Sequence, residues 1–224
     1  MDFNVIAQIK SDFPTKFGLP RQSGIIGELK SYIVFKKEYS IPEAFRGLEE
    51  FSHIWIIWGF SEAARGKWSP TVRPPRLGGN TRMGVFATRS PFRPNPVGLS
   101  CVKLCSIRYT NGITVIEVSG ADMMDGTPVY DIKPYLPYTD SHEDAEGGFA
   151  EALKGDKLEV VVPSELSDKL PADKREALVK ILRSDPRPSY QNEPARIYGF
   201  SFAGFEIKFS VSDRALTVCQ VEKI

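Results

Sequence analysis

The sequence has few of the residues on which many enzymes depend. Its 224 residues include two histidines, His53 and His142, and three cysteines, Cys101, Cys105 and Cys219. The cysteines lack the short paired spacings that hold zinc, and we expect them to be buried thiols. Metal-dependent and serine-triad chemistry are therefore disfavoured, and we predict no metal site.

Several nucleotide-binding and targeting signals are also missing. No G-x-G-x-x-G follows a strand-like segment, and there is no P-loop. No run of about 18 apolar residues occurs, and residues 1–4 lack the basic and then apolar pattern of a secretory signal. We therefore predict a cytoplasmic protein with no membrane span and no Rossmann pocket.

Acidic residues are absent from one long stretch of the chain. No Asp or Glu occurs between Ala63 and Ile116, although the whole chain carries 28 acidic and 29 basic residues. A region with positive charges alone suits phosphates, carboxylates or another anionic partner. Its basic residues are Arg65, Lys67, Arg73, Arg76, Arg82, Arg89, Arg93, Lys103 and Arg108.

Short segments rich in β-branched and aromatic residues indicate strands. Asn111-Gly112 suits the tight turn of a β-hairpin. Amphipathic helices do not alternate with these segments, which disfavours a parallel βαβ layout. We therefore predict a mainly β protein whose N-terminal domain is an antiparallel β-barrel. The predicted strands are residues 3–9, 29–35, 53–60, 83–88, 99–109 and 113–119.

The chain is predicted to contain two domains. Residues 139–155 are acidic and contain glycine, which is typical of a linker, and we place the domains at residues 1–140 and 155–224. In the first domain a helix is predicted at residues 42–51, because Pro42 suits the first helical position. The second is predicted to be a small α+β domain with a strand at 158–162, a helix from Pro171 to the stop at 185–186, and strands at 196–202 and 205–211.

Residues 73–100 combine arginine with proline and glycine. Glycine lets a backbone approach a ligand closely, and proline restrains the loops that hold the guanidinium groups. Because arginine recognises carboxylates and phosphates well, this composition predicts a site for an anionic ligand. A rigid surface loop is the alternative.

Three motifs of unusual composition lie between residues 73 and 135. They are R-P-P-R-L-G-G-N at residues 73–80, F-A-T-R-S-P-F-R-P-N-P at 86–96 and D-G-T-P-V-Y-D-I-K-P-Y at 125–135. Shorter matches are P-R-Q at 20–22, R-G-L-E at 46–49, F-S-H at 51–53 and D-P-R-P at 185–188. Together these motifs resemble those of the TsaA-like family of transfer-RNA methyltransferases, and the resemblance spans nearly the whole chain.

The resemblance implies an antiparallel β-barrel that binds S-adenosylmethionine. It also implies a homodimer that methylates N6 of threonylcarbamoyladenosine at position 37 of transfer RNA. Relatives often have His at the position of Ser61, so only a backbone contact is carried over there. The implied cofactor-binding residues are Pro20, Arg21, Gln22, Phe60, Ser61, Glu62, Arg89, Leu99, Ser119, Gly120, Ala121, Asp122 and Met123.

Simple chemistry suggests roles for some of these residues. Arg89 can bind the carboxylate of the methyl donor, and Leu99 can cover its adenine ring. The acceptor nitrogen lies between a carbonyl and a purine and is a poor nucleophile while protonated, so a nearby base would help. The candidate carboxylates are Asp122, Asp125 and Asp131, each of which is also typical of a turn or a strand cap.

Binding of RNA is assigned to the acid-free stretch. We predict that Arg65, Lys67, Arg73 and Arg76 contact phosphates of transfer RNA. The second domain is expected to hold RNA or the partner subunit, or else to cover an exposed sheet face. Two alternatives for the whole protein stay open: a non-catalytic RNA-binding β-barrel and a small-molecule methyltransferase of the same fold.

Overall fold

Six strands close into an antiparallel barrel in the computed structural model, which describes residues 3–61, 68–74, 77, 80–151, 158–187, 193 and 196–224. In chain order the first eight strands are β1 (Ala7–Lys10), β2 (Lys30–Phe35), β3 (His53–Gly59), β4 (Thr71–Val72), β5 (Met83–Gly84), β6 (Val97–Thr110), β7 (Ile113–Ser119) and β8 (Pro128–Pro134). The order around the barrel is β1-β2-β7-β6-β3-β8, and β4 pairs with β5 outside it. The predicted β-barrel is confirmed.

Alternation of side chains explains why the barrel closes around an apolar core. Along β3, Ile54, Ile56 and Trp58 are buried and face inward, while the residues between them are half-buried. The β6–β7 hairpin turns at Asn111 and Gly112, whose φ angles of 54° and 76° are both positive, as a tight hairpin requires. Inward-facing aliphatic residues of all six strands thus form one core.

Two local predictions for the first half are wrong, and one strand was missed. Residues 42–51 form two short 3-10 helices, Pro42–Phe45 and Leu48–Glu50, because Gly47 lies between them with φ 85°. The predicted strand at 83–88 becomes a 3-10 helix from residue 85. Strand β8 was not predicted, since it starts and ends with proline. This segment forms a strand because it pairs with β1 and β3, which closes the barrel.

The second half of the described chain is a small α+β unit, as predicted. It contains β9 (Glu159–Val161), β10 (Tyr198–Phe202), β11 (Phe205–Ser212) and β12 (Ala215–Lys223), in the order β10-β11-β12-β9. Short helices α1 (Pro137–Asp140) and α2 (Ser164–Ser167) precede the longer α3 (Ala172–Arg183). Helix α3 begins after Pro171 and buries Ala177, Leu178, Ile181 and Leu182.

A segment of the first half belongs to the core of the second. Phe13, Ile26 and Leu29 are each 2% exposed and pack with the buried residues of α3 and the β10–β12 sheet. The rings of Phe13 and Phe202 have centroids 5.3 Å apart. The connection between β1 and β2 therefore docks onto the C-terminal unit, and composition gave no sign of this.

The cysteine prediction is wrong. Cys105 and Cys219 are exposed, and Cys101 is only half-buried. Cys101 and Cys105 lie on β6, at positions whose side chains point away from the core that Val102 enters.

Candidate active site

A chain of hydrogen bonds connects the barrel interior with Asp122. The indole Nε1 of Trp58 donates to Ser100 Oγ at 2.9 Å, and Ser100 Oγ donates to Asp122 Oδ1 at 2.6 Å. Trp58 packs directly on Gly98, where a Cβ atom would overlap the indole ring. Side chains of β3 and β6 therefore fix the orientation of the Asp122 carboxylate just beyond the end of β7.

The environment of Asp122 changes its acidity. Burial raises the pKa of this carboxyl above its usual 3.8, and the hydrogen bond from Ser100 and the charge of Arg89 oppose that rise only in part. Because the folded state disfavours the charged form, ionised Asp122 destabilises the fold at neutral pH. This cost disappears as the pH falls through the raised pKa toward 3.8. A carboxylate with a raised pKa is also a better proton acceptor.

Gln22 and Arg89 lie beside this carboxylate. Arg89 Nη1 donates to Gln22 Oε1, and the backbone of Ser23 hydrogen-bonds to Asp122. Arg89 is exposed, so its guanidinium is accessible to a ligand. Three segments that are remote in sequence thus bring an arginine, an amide and a carboxylate to one place.

Backbone hydrogen bonds hold the loop that carries Gln22 against the segment that carries Asp122. The Gly24 N–H donates to Gly120 O at 2.8 Å, and the Gly120 N–H donates to Leu29 O at 2.8 Å. Gly120 has φ 80°, and a Cβ atom there would lie 3.1 Å from Gly24 Cα. A side chain at this position would push the loop that carries Gln22 away from Asp122.

Arg21, although adjacent to Gln22, bonds to the C-terminal unit. Its Nη2 donates to Arg187 O at 2.9 Å and to Asp185 O at 3.4 Å. The turn that accepts these bonds is itself rigid, because Arg187 Nε and Nη2 each lie 2.9 Å from a different oxygen of Asp185. This use of Arg21 could not be read from the sequence.

Several other predicted cofactor residues are buried. The side chains of Ala121 and Met123 are in the barrel core, Pro20 is buried, and Ser119 Oγ donates to Gly27 O. A contribution from these four residues to a ligand site would have to come mainly from the backbone.

The remaining predicted residues of the cofactor set lie at the barrel surface or outside the described part. Phe60 packs on Trp58 with ring centroids 4.3 Å apart, and the Ser61 N–H donates to Gly59 O at 3.0 Å. Leu99 is 59% exposed on the outer face of β6, opposite to Ser100, so the two side chains point to different sides of the barrel wall. Glu62 lies outside the described residues.

The other two candidate carboxylates pair with lysines. Asp125 accepts the Ser11 N–H at 3.1 Å and pairs with Lys10 at 3.2 Å. Asp131 accepts the N–H of the next residue and pairs with Lys133 at 3.0 Å. Within the described ranges, only Asp122 of the three has a hydrogen bond that links it to the barrel interior and a neighbouring arginine.

Of the four cations assigned to RNA, the structure describes one. Arg73 is exposed after β4, whereas Arg65, Lys67 and Arg76 lie outside the described residues. In the described part of the chain no three His, Cys, Asp or Glu side chains are grouped to hold a metal ion. None of the helices in that same part is long and apolar enough to cross a membrane.

Comparisons with known proteins match both parts of the chain. The tRNA-methyltransferase O N-terminal domain matches residues 8–141, and the TrmO C-terminal domain matches residues 156–224. The tRNA (adenine(37)-N6)-methyltransferase of Escherichia coli K12 is 39% identical over 228 residues, which cover 98% of this chain and 97% of that protein. A putative S-adenosylmethionine-dependent methyltransferase of Pseudomonas aeruginosa is 39% identical over 201 residues, 87% of this chain and 85% of that one.

The fold agrees as well. The crystal structure of TrmO from Pseudomonas aeruginosa superposes with a TM-score of 0.80 at 31% identity, covering 100% of this chain and 97% of that one. Both halves of the chain are therefore matched in sequence and in structure. The chain belongs to the tRNA-methyltransferase O family.

Proposed function

We propose that this protein transfers a methyl group from S-adenosylmethionine to N6 of adenosine 37 in the anticodon loop of transfer RNA. The observation that carries the proposal is the position of Asp122, a carboxylate with a raised pKa that is held by Ser100 beside Arg89. A proton acceptor next to an anion-binding group is what N-methylation with this donor needs.

The residues present fit the methyl donor. Arg89 offers a charged fork for a carboxylate, and Gln22, which already accepts a bond from Arg89, restrains that fork. The backbone at residues 119–123 lies against the loop that carries Gln22 and can supply polar contacts. Pro20, Arg21, Phe60, Ser61, Glu62 and Leu99 stay in the proposed site, with Arg21 acting through its bond to the C-terminal unit.

Asp122 is the proton acceptor in our proposal, ahead of Asp125 and Asp131. S-adenosylmethionine supplies an electrophilic methyl group when it is bound. The Asp122 carboxylate would take the N6–H proton of the base as the new N–C bond forms and the methyl–sulfur bond breaks, so that a neutral thioether leaves. Ser100 fixes the orientation of the Asp122 carboxylate, because its hydroxyl donates a hydrogen bond to Oδ1 at 2.6 Å.

The preferred substrate is proposed to be threonylcarbamoyladenosine, not unmodified adenosine. A carbonyl attached to N6 makes the N–H more acidic, so a carboxylate with a raised pKa can accept its proton more readily. An unpaired base of the anticodon loop can be turned out toward such a site.

The wider assignments are also proposals. We infer a homodimer that works in the cytoplasm, and methyl transfer of this kind requires no metal. The barrel domain at residues 1–140 is proposed to carry the chemistry and the domain at 155–224 to support it. Arg65, Lys67, Arg73 and Arg76 are proposed to contact RNA phosphates.

Nucleoside mass spectrometry tests the proposed function. Transfer RNA from a strain that lacks this protein should lose one methyl group on N6 of nucleoside 37, and the purified protein with S-adenosylmethionine should restore it. A non-catalytic RNA-binding protein would give no heat in isothermal titration with S-adenosylmethionine. A small-molecule methyltransferase would leave the RNA of the deletion strain unchanged, and either result would contradict the proposal.

A further inference from the structure

Two aromatic rings are exposed side by side in the acid-free stretch. Trp68 is 49% exposed and Phe86 is 71% exposed, and their rings are stacked with centroids 6.4 Å apart and planes at 28°. Rings of this size are usually buried or in contact with a partner. Neither residue has a role in the proposed chemistry.

The short β4–β5 ribbon brings the two rings together. Thr71 pairs with Gly84 and Val72 with Met83, so Trp68, which precedes β4, meets Phe86, which follows β5. The Val85 N–H donates to Pro70 O at 2.9 Å, and the Val85 side chain is buried. Burial of Val85 turns the neighbouring Phe86 outward.

Arg93 and Thr88 stiffen the segment that carries Phe86. Arg93 Nη1 donates to Thr88 O at 2.7 Å and to Val85 O at 3.2 Å, and Thr88 Oγ1 donates to Val85 O at 2.9 Å. The Arg93 guanidinium also lies 5.5 Å from the centre of the Phe86 ring, within cation–π distance. The ring is therefore presented on a restrained loop and loses little freedom on binding.

The same loop carries Arg89 three residues after Phe86, next to Asp122. No carboxylate occurs between residues 63 and 116, so every charged residue of the segment that carries the rings is basic. An unpaired nucleotide offers both a planar base and a phosphate, which match rings and cations together. A second copy of this chain would bring the same positive charges face to face across a two-fold axis, which is unfavourable.

We propose that Trp68 and Phe86 form a stacking surface for an unpaired nucleobase that neighbours the methylated nucleotide in the anticodon loop. This inference rests on the proposed function and extends it, because it assigns a substrate-binding site on the RNA side of Arg89. The rings supply stacking, and the surrounding arginines supply attraction to the phosphates.

Binding of an anticodon stem-loop tests the surface. The variants that remove the rings are Trp68→Ala, Phe86→Ala and the double change. Trp68→Phe and Phe86→Tyr keep an aromatic ring, whereas Phe86→Leu keeps an apolar side chain without a ring. Tyr138→Ala is the matched control, since Tyr138 is 86% exposed on α1. Readouts are the stem-loop Kd, the KM for transfer RNA, the Kd for S-adenosylmethionine and the sedimentation coefficient.

Each alanine change should weaken stem-loop binding by about 5- to 150-fold, the range for loss of one base–aromatic stack. Phe86→Leu should behave like Phe86→Ala, while the ring-retaining variants and Tyr138→Ala should bind within about two-fold of wild type. The Kd for S-adenosylmethionine should not change. Quenching of tryptophan fluorescence by the stem-loop should be smaller in Trp68→Phe than in wild type.

Two results would overturn the stacking surface. One is a folded double variant with unchanged KM and Kd for RNA. The other is a double variant that sediments as a smaller species, which would make the rings a subunit contact. If the wild-type protein neither binds nor methylates transfer RNA, the proposed function itself fails, and that outcome is distinct from both.

Discussion

The guanidinium of Arg21 donates a 2.9 Å hydrogen bond to the main-chain oxygen of Arg187. The loop beside Asp122 is therefore attached to the turn that follows helix α3. Phe13, Ile26 and Leu29 reinforce the same junction by packing into the C-terminal core. The C-terminal unit therefore contacts the loop that carries Gln22 directly.

Arg21→Ala should lower the free energy of unfolding by roughly 1–2 kcal/mol, because bonds from a charged donor across the junction are lost. The affinity for S-adenosylmethionine should fall less than in Arg89→Ala. Urea unfolding and isothermal titration measure the two effects. The control is Arg46→Ala, an exposed arginine between two 3-10 helices. If Arg21→Ala is as stable as that control, the bond to Arg187 contributes nothing.

Arg89→Ala should weaken binding of S-adenosylmethionine by about 1.5–3 kcal/mol, the value of a charge-assisted hydrogen bond. Gln22→Ala should have a smaller effect in the same direction, since the guanidinium then loses its restraint. Isothermal titration is the measurement. The control is Arg82→Ala, a change of the arginine that directly precedes β5. Wild-type affinity in Arg89→Ala would show that the carboxylate of the donor binds elsewhere.

Asp122→Asn should reduce methylation by roughly 10²–10⁴-fold, the usual contribution of a positioned base. The variant should be at least as stable as wild type at neutral pH, because it no longer buries a charge. Lowering the pH from 7 toward 4 should stabilise the wild type relative to the variant, since the raised pKa of Asp122 makes the folded state take up its proton first. A wild type that gains no stability over the variant in that range would contradict the raised pKa.

Ser100→Ala should move the acid limb of the pH–activity profile to higher pH. The hydrogen bond from Ser100 lowers the pKa of Asp122, so its loss raises that pKa further and more carboxylate is protonated at a given pH. Ser106→Ala, also on β6, is the control. An unchanged or lower midpoint in Ser100→Ala would exclude Asp122 as the group that the profile reports.

Replacement of Arg65, Lys67, Arg73 and Arg76 with Ala should weaken the salt dependence of RNA binding. Each lost phosphate contact reduces the slope of log affinity against log salt by roughly 0.7–0.9. Binding of transfer RNA between 50 and 300 mM salt, on the order of the physiological range, gives this slope. The same slope in the fourfold variant would place the RNA phosphates on other residues.

The barrel was predictable because its strands alternate and its hairpin has a clear turn at Asn111-Gly112. Other elements depend on tertiary pairing. β8 contains Asp131 and two prolines, and its pairing with β1 and β3 overrides weak propensity. The predicted helix at 42–51 ignored Gly47, whose positive φ divides it.

The site was predictable only in part. The family motif led to Arg89, but nothing in the sequence separated Asp122 from Asp125 and Asp131, because the difference is made by burial and by Ser100. Trp58 and Ser100 were missed as partners of Asp122, since hydrogen bonds between distant segments leave no local pattern. The hydrogen bonds from Arg21 to the C-terminal unit could not be predicted for the same reason.

Parallel pairing of β9 with β12 sets an order for folding during synthesis. All barrel strands lie between residues 7 and 134, so the ribosome completes them before β9 is made. β9 then has to wait for β12, with α3 and two other strands translated in between. Until β12 is made, Phe13, Ile26 and Leu29 lack part of the core into which they pack, and this interval is when a nascent chain is most open to aggregation or chaperone binding.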